Sequence, residues 1–500
     1  MVQTCVHSRH SSCNFIAVIW LLAAGIGSAQ TPDFVWARQE ISLTRFPHAV
    51  AVATDRQNNI LVGGWCEDPA RIGTFPLPAS SSAFLAKHDP AGHVLWAKGP
   101  IGTGWGRIYA VATETNGDVL ATGEFSRQLF FGGATLTNPT DYGRGMFLAK
   151  YSSAGSALWA RSDGDRTNSF GNGLALDGAG NAYVTGSCYA GSAAFGTNTL
   201  TGPGAFLAKY ASDGTLLWAR RLAVNEGGTN RTARSIGGIS AYTNRNVWVS
   251  GNLISPLSDQ FTTVWDAFLA RLDDEGNPVW VRILRTVGFD ELNAPVAVDS
   301  SGNAYWHGSV HAYTTLDFGS FVVSNDNDDK VFTAKYGPTC DPLWVRTASG
   351  AAIARGATAD NSGVAITGEA RPSFQNQSLT AGTHSVTLTD TSIYVIRYHS
   401  VGNLLWLRAA RPGSYAGNSG RAVAVDQTGA AVVLGNLSSQ AGFGDITLTN
   451  GGDFLAKLGM SSSLAPERLV GDIELNPLSA TGNLAPPTPG TVYLYTTSTG

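Results

Sequence analysis

A single stretch is respelled at a fixed interval along this chain of 500 residues, and that repetition limits what the chain can fold into. GAFLAKYASDGTLLWAR (204–220) returns as SAFLAKHDPAGHVLWAK (82–98), GMFLAKYSSAGSALWAR (145–161), DAFLARLDDEGNPVWVR (266–282), KVFTAKYGPTCDPLWVR (330–346) and SIYVIRYHSVGNLLWLR (392–408). Each copy predicts two short strands around a tight turn rich in Ser, Asp and Gly. A second signature precedes each copy: an apolar strand, an Asx/Gly turn, and another apolar strand ending at a glycine. It reads AVAVATDRQNNILVGG at 49–64, LALDGAGNAYVTG at 174–186 and PVAVDSSGNAYWHG at 295–308. The closing glycines are Gly64, Gly123, Gly186, Gly251, Gly308, Gly368 and Gly435, a period of about 62 residues. Trp36, Trp96, Trp159, Trp218, Trp280, Trp344 and Trp406 keep the same interval. Self-similarity of this kind means a solenoid, an array or a propeller.

Each unit therefore holds four strands, here lettered a to d in chain order. Strands a and b are nearly all apolar without polar alternation, so both of their faces should be covered. A four-stranded sheet held between identical neighbours is a propeller blade. The chain ends choose between an open array and a ring. The seventh unit has its third strand, DFLAKL (453–458), but no tryptophan-bearing fourth strand follows it. The missing strand stands at the other end as FVWAR (34–38). The expected fold is thus all-β: a single seven-bladed β-propeller over residues 30–460, with four antiparallel strands per blade. Pairing of the N-terminal strand onto the last blade closes the ring and removes two exposed edges.

The pattern of D-x-x-G-N turn, YVTG strand, FLAKY strand and LLWAR strand resembles the bacterial secreted β-propeller repeat family SBBP. The resemblance covers about residues 34–458 and recurs in register in every unit. Tyr394-Val395-Ile396 and Thr243-Asn244-Arg245 depart from it locally. It implies a secreted propeller, often part of a larger surface or extracellular protein, with no fixed enzymatic activity.

Residues 1–29 read as an export signal. Arg9 supplies the positive end, 15–27 the apolar run, and Gly27-Ser28-Ala29 the small-residue cleavage site. The run is too short for a comfortable membrane span, and no later one is longer. The expected location is outside the cytoplasm: secreted, periplasmic or at the cell surface. Residues 461–500, rich in Ser, Pro, Thr and Gly, read as a linker or disordered tail. A net charge of −4 provides no basic field for nucleic acid. Cys66, Cys188 and Cys340 remain after signal removal, an odd and widely spaced set that reads as buried thiols. No cofactor or metal is implied, and the propeller is expected as a monomer.

The a–b and c–d turns are tight and fall at one end of each blade. The b–c and d–a connections are longer and share the other end, where function is expected. A residue present in every unit is explained by the fold. On that filter the series Lys87, Lys150, Lys209, Arg271, Lys335, Arg397 and Lys457 reads as amphipathic stems over apolar surface. So does the series that follows each fourth-strand tryptophan, from Arg38 to Arg408. Trp65, Trp105, Trp248, Trp265 and Trp306 break the repeat. Trp306 and His307, with His311, form the densest such group, YWHGSVH (305–311), and are the candidate binding residues for a sugar. Asp326, Asp328 and Asp329 read as a solvated connector, since the full calcium-loop pattern is missing. No nucleophile elbow or zinc-helix motif stands in a supporting context, so no catalytic residue is assigned.

Two functional expectations result. The first is an exported non-catalytic scaffold or binding module for a protein or glycan, with its site on the loop-rich face. The second is a carbohydrate-active lyase or hydrolase using His307, His311 and a carboxylate such as Asp290 or Glu291, which requires these groups to share one pocket.

Overall fold

The computed structural model describes residues 32–459 apart from 40–47, 67–70, 79–81, 139–142, 164–167, 190–191, 227–228, 243–246, 255–264, 286–294, 311–313, 325–328, 351, 373–376 and 413–416. Every regular element among the described residues is a strand. The first sheet runs a-b-c-d as His48–Thr54, Ile60–Trp65, Ala83–His88 and Val94–Lys98, each strand antiparallel to the next. The second (Gly106–Thr113 to Ala157–Ser162) and third (Ser169–Leu176 to Leu216–Arg221) repeat that order. The fourth to sixth sheets begin at Thr229–Ala241, Val296–Val298 and Ala352–Asp360 and repeat it again. The last sheet takes strands a to c from Ser419–Val425, Ala431–Leu437 and Gly452–Gly459. Its fourth strand is Asp33–Gln39, paired antiparallel with Gly452–Gly459. The a strands touch in succession from His48–Thr54 onward, and Ser419–Val425 touches His48–Thr54 in turn.

Strand b is buried along its length in sheet after sheet, as two-faced coverage predicts. Strand a is only half covered, with alternating buried and intermediate residues at His48–Thr54. Each strand a lies against the a strands of the sheets on either side. The cores lie between sheets. Leu61, Leu85 and Trp96 of the first sheet pack with Val119, Phe147 and Ala149 of the second.

The fourth-strand tryptophans anchor this packing. The Trp36, Trp96, Trp218 and Trp344 indole N–H groups donate to the carbonyls of Pro90, Ser153, Asp274 and Ser400, each in the c–d turn of the following sheet. The arginine two residues on does the same: Arg38 Nε donates to Ala91 O at 2.9 Å and Arg346 Nε to Gly402 O at 2.8 Å. The ring lies so close that a Cβ on Gly92, Gly155 or Gly214 would come within 2.9 Å of it. These glycines also hold φ of +82°, so the turn requires glycine twice over. Cys340 takes that turn position in the fifth sheet at φ +70°. Cys66, Cys188 and Cys340 are all buried.

One sequence expectation is corrected. The third-strand lysines are not stems laid over apolar surface. Lys87 is buried and pairs with Asp55 of its own a–b turn at 2.9 Å. Lys150 pairs with Glu114 at 2.8 Å, and Lys457 with Asp426 at 2.7 Å. A buried ammonium needs a counter-charge, and the turn that requires an aspartate supplies it. The b–c connections, read from the sequence as longer than the turns, carry short hairpins such as Gln128–Phe131 with Ala134–Thr137 and Ser192–Phe195 with Asn198–Thr201. Ser378–Ala381 pairs onto the fourth strand of the preceding sheet, so this hairpin also seals a seam between neighbours.

Candidate ligand-binding rim

Trp306 and His307 are both at 0% exposure on strand Ala304–Val310. Trp306 packs edge-on against Phe332 and Phe318. His307 Nδ1–H donates to Phe332 O at 2.7 Å, which leaves Nε2 as the acceptor facing the Tyr394 hydroxyl at 3.2 Å. Burial lowers the His307 pKa to about 4, so the ring is neutral at neutral pH. Neither side chain presents a surface to a ligand, because a strand buried on both faces has no outward position. The binding role expected of the pair thus finds no opening here. His311, Asp290, Glu291, Asp326 and Asp328 lie outside the described residues.

The neutral His307 makes a pH prediction. Its folded pKa is below the ordinary value near 6.5, so between pH 6.5 and 4 the unfolded chain binds a proton that the folded chain refuses. Stability is full above pH 6.5 and falls on acidification, by about 3 kcal/mol at pH 4. Urea unfolding of His307→Gln across that range should show a shallower pH slope than the parent. Equal slopes would remove the assignment.

A different constellation stands at the loop-rich end. In sheet after sheet a bulge interrupts the a–b pairing near the start of strand a, between Ala49 and Ala51, Gly171 and Gly173, and Gly420 and Ala422. Bulges re-aim side chains, and the interrupted positions include Val50, Tyr109, Arg355 and Arg421. These four line a cavity of about 230 Å³ together with a-strand residues of the other sheets. At its mouth the rings form an unbroken arc. His48 stacks on Trp65 at 4.9 Å, Trp65 meets Tyr109 at 5.6 Å, Tyr109 meets Phe170 at 6.1 Å, and Phe170 meets Tyr189 at 5.4 Å.

Arginines lie on this arc. Arg107 sits 5.1 Å from the Trp65 centroid and 5.3 Å from Trp105, Arg144 5.5 Å from Trp105, and Arg234 5.9 Å from Tyr189. Trp105 is fixed by the connection facing it: its N–H donates to Ser126 Oγ at 3.2 Å and its carbonyl accepts from Ser126 N–H at 2.9 Å. Beneath the rim the buried Glu124 accepts from the Tyr109 hydroxyl at 2.6 Å and, at longer range, from Arg107 and Arg144. Burial, reinforced by the Glu124 carboxylate, pushes the Tyr109 phenol well above its ordinary range. Tyr109 therefore keeps its proton and serves as a donor. Arg355 and Arg371 share Glu369 in the same manner across the mouth.

A larger cavity, of about 630 Å³, opens at the tight-turn end between Glu114, Lys150, Asp177, Tyr242 and Asp299. Its Lys150 and Glu114 are already engaged in the ion pair that recurs from sheet to sheet. The sequence had marked Trp65 and Trp105 as breaking the repeat without showing that Arg107 lies against both. Tyr109, Phe170 and Tyr189 gave no comparable signal.

A family model described as a beta-propeller repeat (SBBP) matches residues 164–188. An uncharacterized WD repeat-containing protein of Acanthamoeba polyphaga mimivirus is 24% identical over 402 residues, covering 62% of this chain. The match takes up 28% of that relative's own length. Among solved structures, the WD40 domain of Neurospora crassa Pan2 gives a TM-score of 0.42 at 8% identity, covering 87% of this chain and 97% of that one. A polysaccharide lyase gives 0.42 at 9% identity, covering 87% and 95%.

Proposed function

We propose that this β-propeller repeat protein is an exported, non-catalytic seven-bladed ring, closed by its N-terminal strand, that binds an extracellular or cell-surface glycan or protein at the loop-rich rim. The pairing of Asp33–Gln39 with Gly452–Gly459 and the circle of touching a strands support the closed form. The leader at 1–29 supports export. The observation that carries the binding role is the arc from His48 to Tyr189. It occupies one sector only, so the repeat does not explain it, and it stands at the end that carries the longer connections.

The rival reading is a carbohydrate-active lyase or hydrolase. Tyr109 with Glu124 is the hydrogen-bonded acid–base pair beneath the arc, and a phenol held protonated beside a buried carboxylate is a poor general base. That favours binding over catalysis.

A glycan-array and cell-surface pull-down comparison of the mature protein with Trp65→Ala tests the reading. Losing a large stacked ring at the centre of a binding surface typically costs 2 kcal/mol or more, about thirtyfold in Kd. Retained binding of every ligand by the variant would place the site elsewhere.

A further inference from the structure

Resting on the rim reading above, we infer that the ligand is an acidic polysaccharide, whose carboxylate or sulfate groups meet Arg107, Arg144 and Arg234 while its sugar rings stack on Trp65, Trp105 and Tyr189. The charge arrangement carries this step. Arg107 and Arg144 side chains are 38% and 45% exposed, whereas the Glu124 side chain beneath them is 1% exposed. One carboxylate serves two guanidiniums, at 3.4 and 3.3 Å, so most of their donors remain directed outward. Among the described residues the two guanidiniums outnumber the carboxylate they share. Arg234 is exposed above Tyr189 and has no carboxylate partner among the described residues. Across the mouth, Arg355 and Arg371 again outnumber Glu369.

The rings select the rest of the ligand. A guanidinium lying over an indole is held flat, with its edge donors pointing sideways at the height of anything stacked beside it. Planar fork donors suit carboxylate and sulfate oxygens. The positive C–H edges of a sugar ring suit the negative face of an aromatic ring. The arc runs over five rings in mutual contact, from His48 to the exposed Tyr189, so a linear polymer laid along it meets several of them. Arg234 and Tyr189 extend the track across the boundary between the third and fourth sheets.

The test uses affinity electrophoresis and calorimetry of the mature protein with polygalacturonate, dextran sulfate and neutral dextran. Binding of at least one acidic polymer and not of dextran is expected, weakened about tenfold or more in roughly 0.5 M salt, where the Debye length falls to about 4 Å. Arg234→Gln should weaken that binding about tenfold with no change in melting temperature, since it breaks no ion pair. Arg107→Gln should weaken it as much or more. Arg56→Gln, at the opposite end, should leave it unchanged. Failure of both acidic polymers, or equal effects of Arg56→Gln and Arg234→Gln, overturns the inference. Single-stranded DNA binding as tightly as the acidic sugars also overturns it, because charge alone would then explain the result. Binding of dextran that Trp65→Ala abolishes would keep the rim and discard the acidic class. Binding of no polysaccharide, with a protein captured through Trp65, would do the same.

Discussion

Deleting residues 33–39 should lower stability more than any single substitution, on the order of 5 kcal/mol or more, and promote association of the protein. The segment supplies the fourth strand of the last sheet, in register from Asp33 with Gly459 to Gln39 with Phe454. It also carries Trp36 and Arg38, whose N–H groups hold the Pro90 and Ala91 carbonyls of the first sheet. Two seams are lost together: Gly452–Gly459 becomes a free edge ready to pair with another chain, and the first sheet loses its indole. A fully buried aromatic alone contributes about 3–5 kcal/mol; Trp36 is half-buried, but it is lost together with a whole strand, against a total of about 5–15 kcal/mol for an ordinary domain. Thermal unfolding and size-exclusion chromatography read the result. A peptide of residues 32–39 added in trans should restore the melting temperature in proportion to its concentration, as strand addition with a defined affinity must. A truncated protein that melts as the parent does would show that the segment is dispensable.

Asp55→Ala is the second large effect, a loss of about 3–5 kcal/mol, the usual result of leaving a buried charge without its partner. Asp55 Oδ1 accepts from the Gln57 and Asn59 N–H groups at 2.9 Å each, and Oδ2 faces Lys87 Nζ at 2.9 Å. Burial by itself would raise this carboxyl, but hydrogen bonds from Asn59 and Lys87 outweigh it and hold the pKa below the ordinary value. The folded form therefore binds its proton less readily than the unfolded chain. The contribution is present above the ordinary aspartate pKa and is lost as pH falls below it. Asp55→Asn keeps a turn acceptor while removing the charge, so it should lose less than Asp55→Ala. Guanidinium unfolding of the three proteins at neutral pH orders them. If Asp55→Asn proves the worse, the turn geometry is not what the carboxylate supports.

The strand pattern was legible because period and turn chemistry agree at every unit. Asp, Asn and Gly fall where a tight turn needs them, and the tryptophan falls where the next sheet's turn comes close. The pairing of Lys87 with Asp55 was hidden. Antiparallel register sets Lys87 opposite Leu61 and brings its ammonium back to the a–b turn, a relation that linear spacing does not display. Trp306 teaches the reverse lesson. Coverage of strand b on both faces, which the apolar pattern already implied, excludes an exposed indole at that position. The rim was illegible for a different reason. Trp65 follows a closing glycine, Trp105 lies in a d–a connection, and Phe170 opens an a strand, so no shared repeat position links them. They meet only because one sheet stands beside another.

The antiparallel partnership of Asp33 with Gly459 places the entry and exit of the described chain side by side. A fold whose two ends meet at one point can be spliced into a single surface loop of a host protein without stretching it. It can equally be cut at another connection and rejoined through a short linker across the old ends. A permutant opened between the third and fourth sheets would make every fourth strand local to its own sheet, the last one included. The chain ends would then lie between the third and fourth sheets while the aromatic arc stayed where it is.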